Sequence, residues 1–223
     1  MSASTPEGTL DPQTVRRLVI AGWTGRDASR VEAHVRELAA EGIPRPPRTP
    51  MFYQLTPSLL TLSPHITVVG PATSGEVECL LVSRDDGLWV GLASDHTDRA
   101  LERTSVAKSK QVCEKPAAGV LWRFTDVAPH WDRLELRSFI DIDGKRAPYQ
   151  AGTAAAMLPP KTLIDDLVSR GGVFASGTAM FCGTLATLSA IRPSPRFEME
   201  LHDPVLGRTI RHEYRVHERP EAL

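Results

Sequence analysis

Glu76 and Glu78 stand two residues apart at the head of the apolar run Cys79-Leu80-Leu81-Val82. In an extended chain successive side chains alternate faces, so both glutamates share a face with Leu80 and Val82. Val77, Cys79 and Leu81 fill the other face. Two carboxylates roughly 6–7 Å apart at Cα repel each other, and each is costly to bury without a cation beside it. Taken alone, the pair reads as a strand emerging into solvent. A hairpin turning on Asp85-Asp86 points further: it places Asp95 opposite Glu76 and the small Ala93 opposite Glu78. A three-residue turn would shift the register by one and undo that opposition. Three carboxylates converging without a cation placed by the pairing suit a hard divalent ion, Mg²⁺ or Mn²⁺.

Other residues of chemical interest are less specific. His34 and Glu37 lie three apart beside the stripe Val31, Val35 and Leu38. On a helix such a pair is ordinarily a surface contact worth a few tenths of a kcal/mol. Lys108 and Lys110 read as solvated lysines, and Arg26 and Arg99 as surface ion-pair formers within reach of an anionic substrate. His96 alternates away from the carboxylates. Gly-Trp-Thr-Gly at 22–25 and the glycine-rich stretch at 171–177 lack nucleotide-loop spacing, and no Gly-x-Ser-x-Gly elbow is present. Cys113 and Cys182 read as packing residues.

The elements that must carry these residues are short. Eighteen prolines and 16 glycines in 223 residues favour strands and turns over a helical bundle. Residues 1–12 read as a loose tail and 13–223 as one domain. The spacing predicts a strand over 16–23, a helix from Asp27 or Ser29 through about Glu41, and a proline-dense connector to residue 50. Strands follow at 65–70, before and after the Asp85-Asp86 turn, at 120–127, and as a hairpin across Asp143-Gly144. A helix begins at Pro160, a small-residue strand follows Val173, and a last hairpin spans 196–216. The fold class is strand-rich α+β with antiparallel pairing. A formal charge of −1 argues against a general grip on nucleic acid or on an anionic membrane. No stretch has the length of a membrane span, the N-terminus lacks signal-peptide regions, and three scattered cysteines fit a reduced cytoplasm.

In order along the chain, His34-Val-Arg-Glu37, Glu76-Val-Glu78, the segment from Asp95 to Glu102, Ala-Lys108-Ser and the stretch 171–179 together resemble the fumarylacetoacetate hydrolase family. The sequence departs from the family pattern at Ala100, Glu102, Lys110, Gln111 and the residues after Thr178, so it looks like a divergent branch. The resemblance implies a rolled mixed sheet with a short N-terminal helical lid over 27–50. It implies Glu76, Glu78 and Asp95 as ligands of Mg²⁺ or Mn²⁺, and His34 with Glu37 as a water-activating dyad. Lys108 would face the substrate, with Lys110 its competitor, and Gly177 and Thr178 would bind the substrate carboxylate. The implied reaction is hydrolysis of a carbon–carbon bond in an acylpyruvate or related α-keto acid through a metal-stabilised enolate. A lyase, isomerase, hydratase or oxaloacetate-type decarboxylase on the same site, and a non-catalytic binding protein, are the alternatives. A small anionic keto acid and a second copy of the chain, as a homodimer, are the expected partners.

Overall fold

The structure, a computed structural model, describes residues 7–40, 42 and 44–222, apart from the side chains of His34 and Leu38. Strand β1 (Glu7–Thr9) opens it, and Asp11 caps the next turn by accepting from the Gln13 amide at 3.0 Å. Residues 7–12 are therefore not loose. Glu7–Thr9 pair with residues 120–122, and Leu10 is buried, which fixes the segment against the sheet. Strand β2 (Arg17–Gly22) leads to α1 (Ala28–Ala40), whose entry is capped by the Asp27 carboxylate accepting from the amides of Ser29 and Arg30. Four short strands follow: β3 (Met51–Leu55), β4 (Leu60–Thr61), β5 (His65–Val69) and β6 (Thr73–Ser74).

The central hairpin comprises β7 (Val77–Arg84) and β8 (Gly87–Ser94). Its turn is the two residues Asp85-Asp86, with Arg84 opposite Gly87 and Glu78 opposite Ala93, the register the sequence predicts. Past it come β9 (Thr97–Asp98), the short helices α2 (Arg99–Glu102) and α3 (Val106–Gln111), β10 (Lys115–Pro116) and β11 (Val120–Arg123). The predicted strand over 120–127 stops at Arg123. Phe124–Val127 turn into α4, which carries Val127 and Phe124, three apart, into the core.

Strands β12 (Glu135–Ile142) and β13 (Lys145–Thr153) meet across Asp143-Gly144, both at positive φ (53° and 76°), as a two-residue primed turn requires. Helix α5 (Pro160–Ser169) has Pro160 in its first turn, and β14 (Thr178–Thr184), β15 (Arg196–Asp203) and β16 (Arg208–Arg219) complete the chain.

Two sheets form the body. One has seven strands in the order β1-β11-β8-β7-β14-β2-β3, and the other five in the order β13-β12-β15-β16-β5. Pairing is mostly antiparallel, but β2–β14, β5–β16 and β4–β10 are parallel, so the architecture is mixed. The strand-rich α+β class is observed.

Strand β7 is apolar on both sides because each side meets a core. Val77, Cys79 and Leu81 pack with Leu136, Phe197, Met199 and Tyr214 of the five-stranded sheet. Leu80 and Val82 pack on the opposite face with Leu18, Ile20, Ala179 and Phe181. Each fully buried Leu or Val contributes roughly 1.5–3 kcal/mol, which anchors the hairpin from both sides. The glutamates lie on the second face, where that core ends. Among the described residues no helix is long and apolar enough to cross a membrane.

Candidate metal centre

The open end of the central hairpin brings the three carboxylates together. The Asp95 amide donates to the Glu76 carbonyl at 2.9 Å, which extends the β7–β8 ladder by one pair. Ser94 Oγ accepts from the Glu76 amide at 3.2 Å and bonds Tyr214 Oη at 2.8 Å, tying this corner to the second sheet. One oxygen each of Glu76, Glu78 and Asp95 lies within 4.8 Å of the others. Oxygens around Mg²⁺ at about 2.1 Å are separated by about 3.0 Å when adjacent and about 4.2 Å when opposite, so the three side chains would draw inward to hold such an ion.

The sequence shows none of the compensation that the fold supplies. Lys110 Nζ lies 2.5 Å from Asp95 Oδ2 and 3.9 Å from Glu76 Oε2. Lys115, fully buried, reaches Asp95 Oδ1 at 3.2 Å and donates to the His96 carbonyl at 2.5 Å. Arg99 pairs with Glu76 Oε1 at 2.9 Å and with Glu102 at 3.0 Å. Burial pushes the Asp95 carboxyl up, but the two ammonium groups overcome it and hold the group at about 2. Lys110 is raised: burial opposes its charge, while Asp95, Glu76 and Glu102 outweigh burial. Lys115 is lowered, because burial dominates where Asp95 is its main partner.

Glu78 differs from its neighbours. It is 2% exposed, no Lys or Arg among the described residues pairs with it, and the Gly183 amide donates to its Oε2 at 2.6 Å. Burial first, then Asp95 and Glu76, raise its carboxyl well above the ordinary value. A buried carboxylate short of positive charge, beside two others, is the feature a divalent cation satisfies.

The floor under Glu78 comes from β14. Its register with β7 shifts between Phe181 and Thr184, and Gly183 sits at φ 94°. A Cβ there would fall 1.7 Å from Thr24 Oγ1, so the tight approach that aims the Gly183 amide at Glu78 requires glycine. Gln150 secures the same corner. Its Oε1 accepts from the Val77 amide and Ser138 Oγ, and its Nε2 donates to Thr184 Oγ1 and the Leu185 carbonyl. Beside Thr24, Trp23 holds φ 60° and donates from Nε1 to Tyr53 Oη at 3.2 Å.

Several expected residues lie elsewhere. Lys108 is exposed on α3. Its helix turns the residue two positions on, Lys110, into the cluster instead. Gly177 and Thr178 sit at the far end of β14, opposite Ser83 and next to Arg16. The Gly-Thr pair near Glu78 is Gly183-Thr184, about 20 Å further along the strand. That second dipeptide was visible in the sequence, and only the strand register selects it. Lys115 carried no signal: a lone lysine before proline becomes central only because β10 pairs with β4 and runs beneath the hairpin.

Glu37 is exposed on α1, and the His34 side chain lies outside the described residues. Arg26 forms a bidentate pair with Asp132 at 2.7 Å. His96 turns away from the carboxylates to Tyr214 Oη and Thr73 Oγ1, both at 2.9 Å. Cys113 and Cys182 are buried, and burial raises both thiols, Cys113 to about 11.

The fold is that of the fumarylacetoacetate hydrolase family. Yeast ynq8, a protein of that family, superposes with a TM-score of 0.67 at 18% identity over 94% of this chain and 96% of its own. A 2-keto-3-deoxyarabinonate dehydratase gives 0.70 at 16% identity over 92% and 75%. A 2-keto-3-deoxy-D-arabinonate dehydratase complexed with magnesium and 2,5-dioxopentanoate gives 0.65 at 15% over 93% and 75%. The chain itself belongs to DUF2848, a family described as a protein of unknown function, whose model matches residues 21–214. No curated protein matches the sequence.

Proposed function

We propose that this chain is a divalent-metal enzyme acting on a small anionic 2-keto acid, with hydrolysis of a carbon–carbon bond in an acylpyruvate or related 1,3-dicarbonyl compound as its reaction. The observation that carries the reading is the triplet Glu76, Glu78 and Asp95, half-buried at Glu76 and buried at the other two, in which no Lys or Arg among the described residues pairs with Glu78. These three would hold Mg²⁺ or Mn²⁺. The ion would supply Lewis acidity toward the keto and carboxylate oxygens of a bound substrate. The structurally similar dehydratase complexed with magnesium and 2,5-dioxopentanoate supports that pairing of metal and ligand.

The chain's own residues have separable tasks. Lys115 and Arg99 orient Asp95 and Glu76 through their outer oxygens, and Lys110 adds positive charge facing an anion. Trp23 and Tyr53, bonded to each other, would wall the site beside Thr24, where the charges of Lys110 and Asp95 act on Tyr53. Helix α1 and its connector would close over it as a lid, bringing His34 and Glu37 to take a proton from water as the hydroxyl adds to the distal carbonyl. The carbon–carbon bond then breaks, its electron pair passes to the pyruvate-side carbon, and that carbon takes up a proton. Dehydration or another lyase reaction on the same site is a second reading. It is favoured by the exposed position of Glu37, since such a reaction needs no water-activating dyad. We place the enzyme in the cytoplasm as a C2 homodimer.

Turnover of acylpyruvates and 2-keto-3-deoxy sugar acids should require Mg²⁺ or Mn²⁺ and cease with EDTA or Glu78→Gln. Reaction in ¹⁸O-water separates the readings: hydrolysis places label in the new carboxylate, and dehydration releases water without cleaving carbon. His34→Ala should lower kcat by about 10²–10⁴ in a hydrolase while leaving metal affinity unchanged. No metal-dependent turnover and no ligand binding across both substrate classes would end the proposal.

A further inference from the structure

Lys110 occupies a position that the carboxylate triplet alone does not explain. Lys115 takes Asp95 Oδ1 and Arg99 takes Glu76 Oε1. The other oxygen of each, Asp95 Oδ2 and Glu76 Oε2, faces Lys110 Nζ, at 2.5 and 3.9 Å. The geometry points to Lys110 as an internal counter-ion that stands in for the divalent cation in the metal-free protein and competes with it for Asp95 and Glu76. This inference rests on the metal reading above.

The backbone that carries Lys110 is held in place. Ser105 caps α3 by accepting from the Lys108 amide at 3.3 Å. Gln111 ties its end to the β3 exit, accepting from the Thr56 amide at 3.1 Å and donating to Thr56 Oγ1 at 2.7 Å. The four-carbon stem joins that backbone to a compact, single charge. An ammonium bonds carboxylate oxygen at about 2.7–2.9 Å and Mg²⁺ at about 2.1 Å. Asp95 Oδ2 has lone pairs for both, but an ammonium and a dication on one oxygen repel each other at close range, so metal entry favours withdrawal of the ammonium. Glu102, whose charge also acts on Lys110, is a further carboxylate near the ammonium, with one oxygen held by Arg99 at 3.0 Å. The arrangement keeps two of the three carboxylates compensated when no metal is bound, and it weakens the metal site by the same interaction. The charged end then faces whatever anion shares the site with the ion.

Calorimetric titration with MnCl₂ and MgCl₂ tests this on the full chain. Lys110→Met should bind Mn²⁺ at least tenfold tighter than wild type. Lys110→Arg, which keeps the charge, should stay within about threefold of wild type, and Lys108→Met should leave the affinity unchanged. Equal or weaker binding by a folded Lys110→Met would overturn the inference and leave the metal reading standing. Absence of Mn²⁺ and Mg²⁺ binding by both wild type and Lys110→Met would overturn both. If Lys110→Met does not fold, reductive methylation of the wild-type protein gives the answer. Saturating Mn²⁺ should raise the methylation rate of Lys110 several-fold, and an unchanged rate would overturn the inference.

Discussion

His96 shows how a single side chain beside the candidate site ties stability to pH. Its ring is buried, with both nitrogens bonded to hydroxyls, Tyr214 Oη and Thr73 Oγ1. Burial first, then Lys115 and Arg99, hold its pKa down at about 3 against an ordinary value of 6.5. Between those values the unfolded chain takes up a proton that the folded protein refuses. Stability from this residue is therefore present above 6.5 and lost as pH falls below it, by up to about 1.4 kcal/mol per pH unit. Urea midpoints between pH 4.5 and 7.5 should fall more steeply toward acid in wild type than in His96→Gln. Parallel curves would remove His96 from the acid limb. The contrast with Asp95, one residue away, is instructive. Asp95 is equally buried, yet two ammonium groups keep it charged. At this scale burial alone does not decide ionisation; the partner does.

At the scale of elements, the site depends on how three pieces of chain meet. The β7–β8 hairpin supplies the carboxylates, the bulged end of β14 supplies the Gly183 amide, and the α3–β10 segment supplies the ammonium groups. Gln150 joins the first two to β12, with all its bonding capacity used at a position 1% exposed. Gln150→Leu would leave the Val77 amide and the Leu185 carbonyl buried without this partner. The expected loss is about 3 kcal/mol or more in urea unfolding, at about 1–3 kcal/mol for each unsatisfied group. Because Val77 lies between Glu76 and Glu78, Mn²⁺ affinity should fall as well. A loss below about 1 kcal/mol would show that the corner is held by packing alone. The hairpin itself was readable from sequence, since its partners are close along the chain and a two-residue turn fixes the register. The β14 end was not. Gly177-Thr178 and Gly183-Thr184 are equivalent as local sequence, and only pairing with a strand about a hundred residues earlier tells them apart.

For the whole molecule, two sheets close one core between them and a second core lies on the outer face of the larger sheet. The smaller sheet ends in β13 and β5 and the larger in β1 and β3. Edge strands of this kind are commonly covered by a symmetry-related copy. Light scattering at micromolar concentration should give twice the 24.4 kDa chain mass; a monomer mass would refute the dimer. The sequence by itself determined the strand-rich class, the capped helix after Asp27, the Asp85-Asp86 and Asp143-Gly144 turns, and the convergence of Glu76, Glu78 and Asp95. Each of those follows from side-chain alternation, capping or turn chemistry, which act over a few residues. Only the tertiary structure decided that Lys110 rather than Lys108 turns inward, that Lys115 lies beneath Asp95, that β1 is pinned, and that Gly183 rather than Gly177 meets Glu78. Those depend on strand order and on contacts between distant segments. A cation buried beside a carboxylate leaves no periodic trace in the chain, because its partner is chosen by packing and not by spacing.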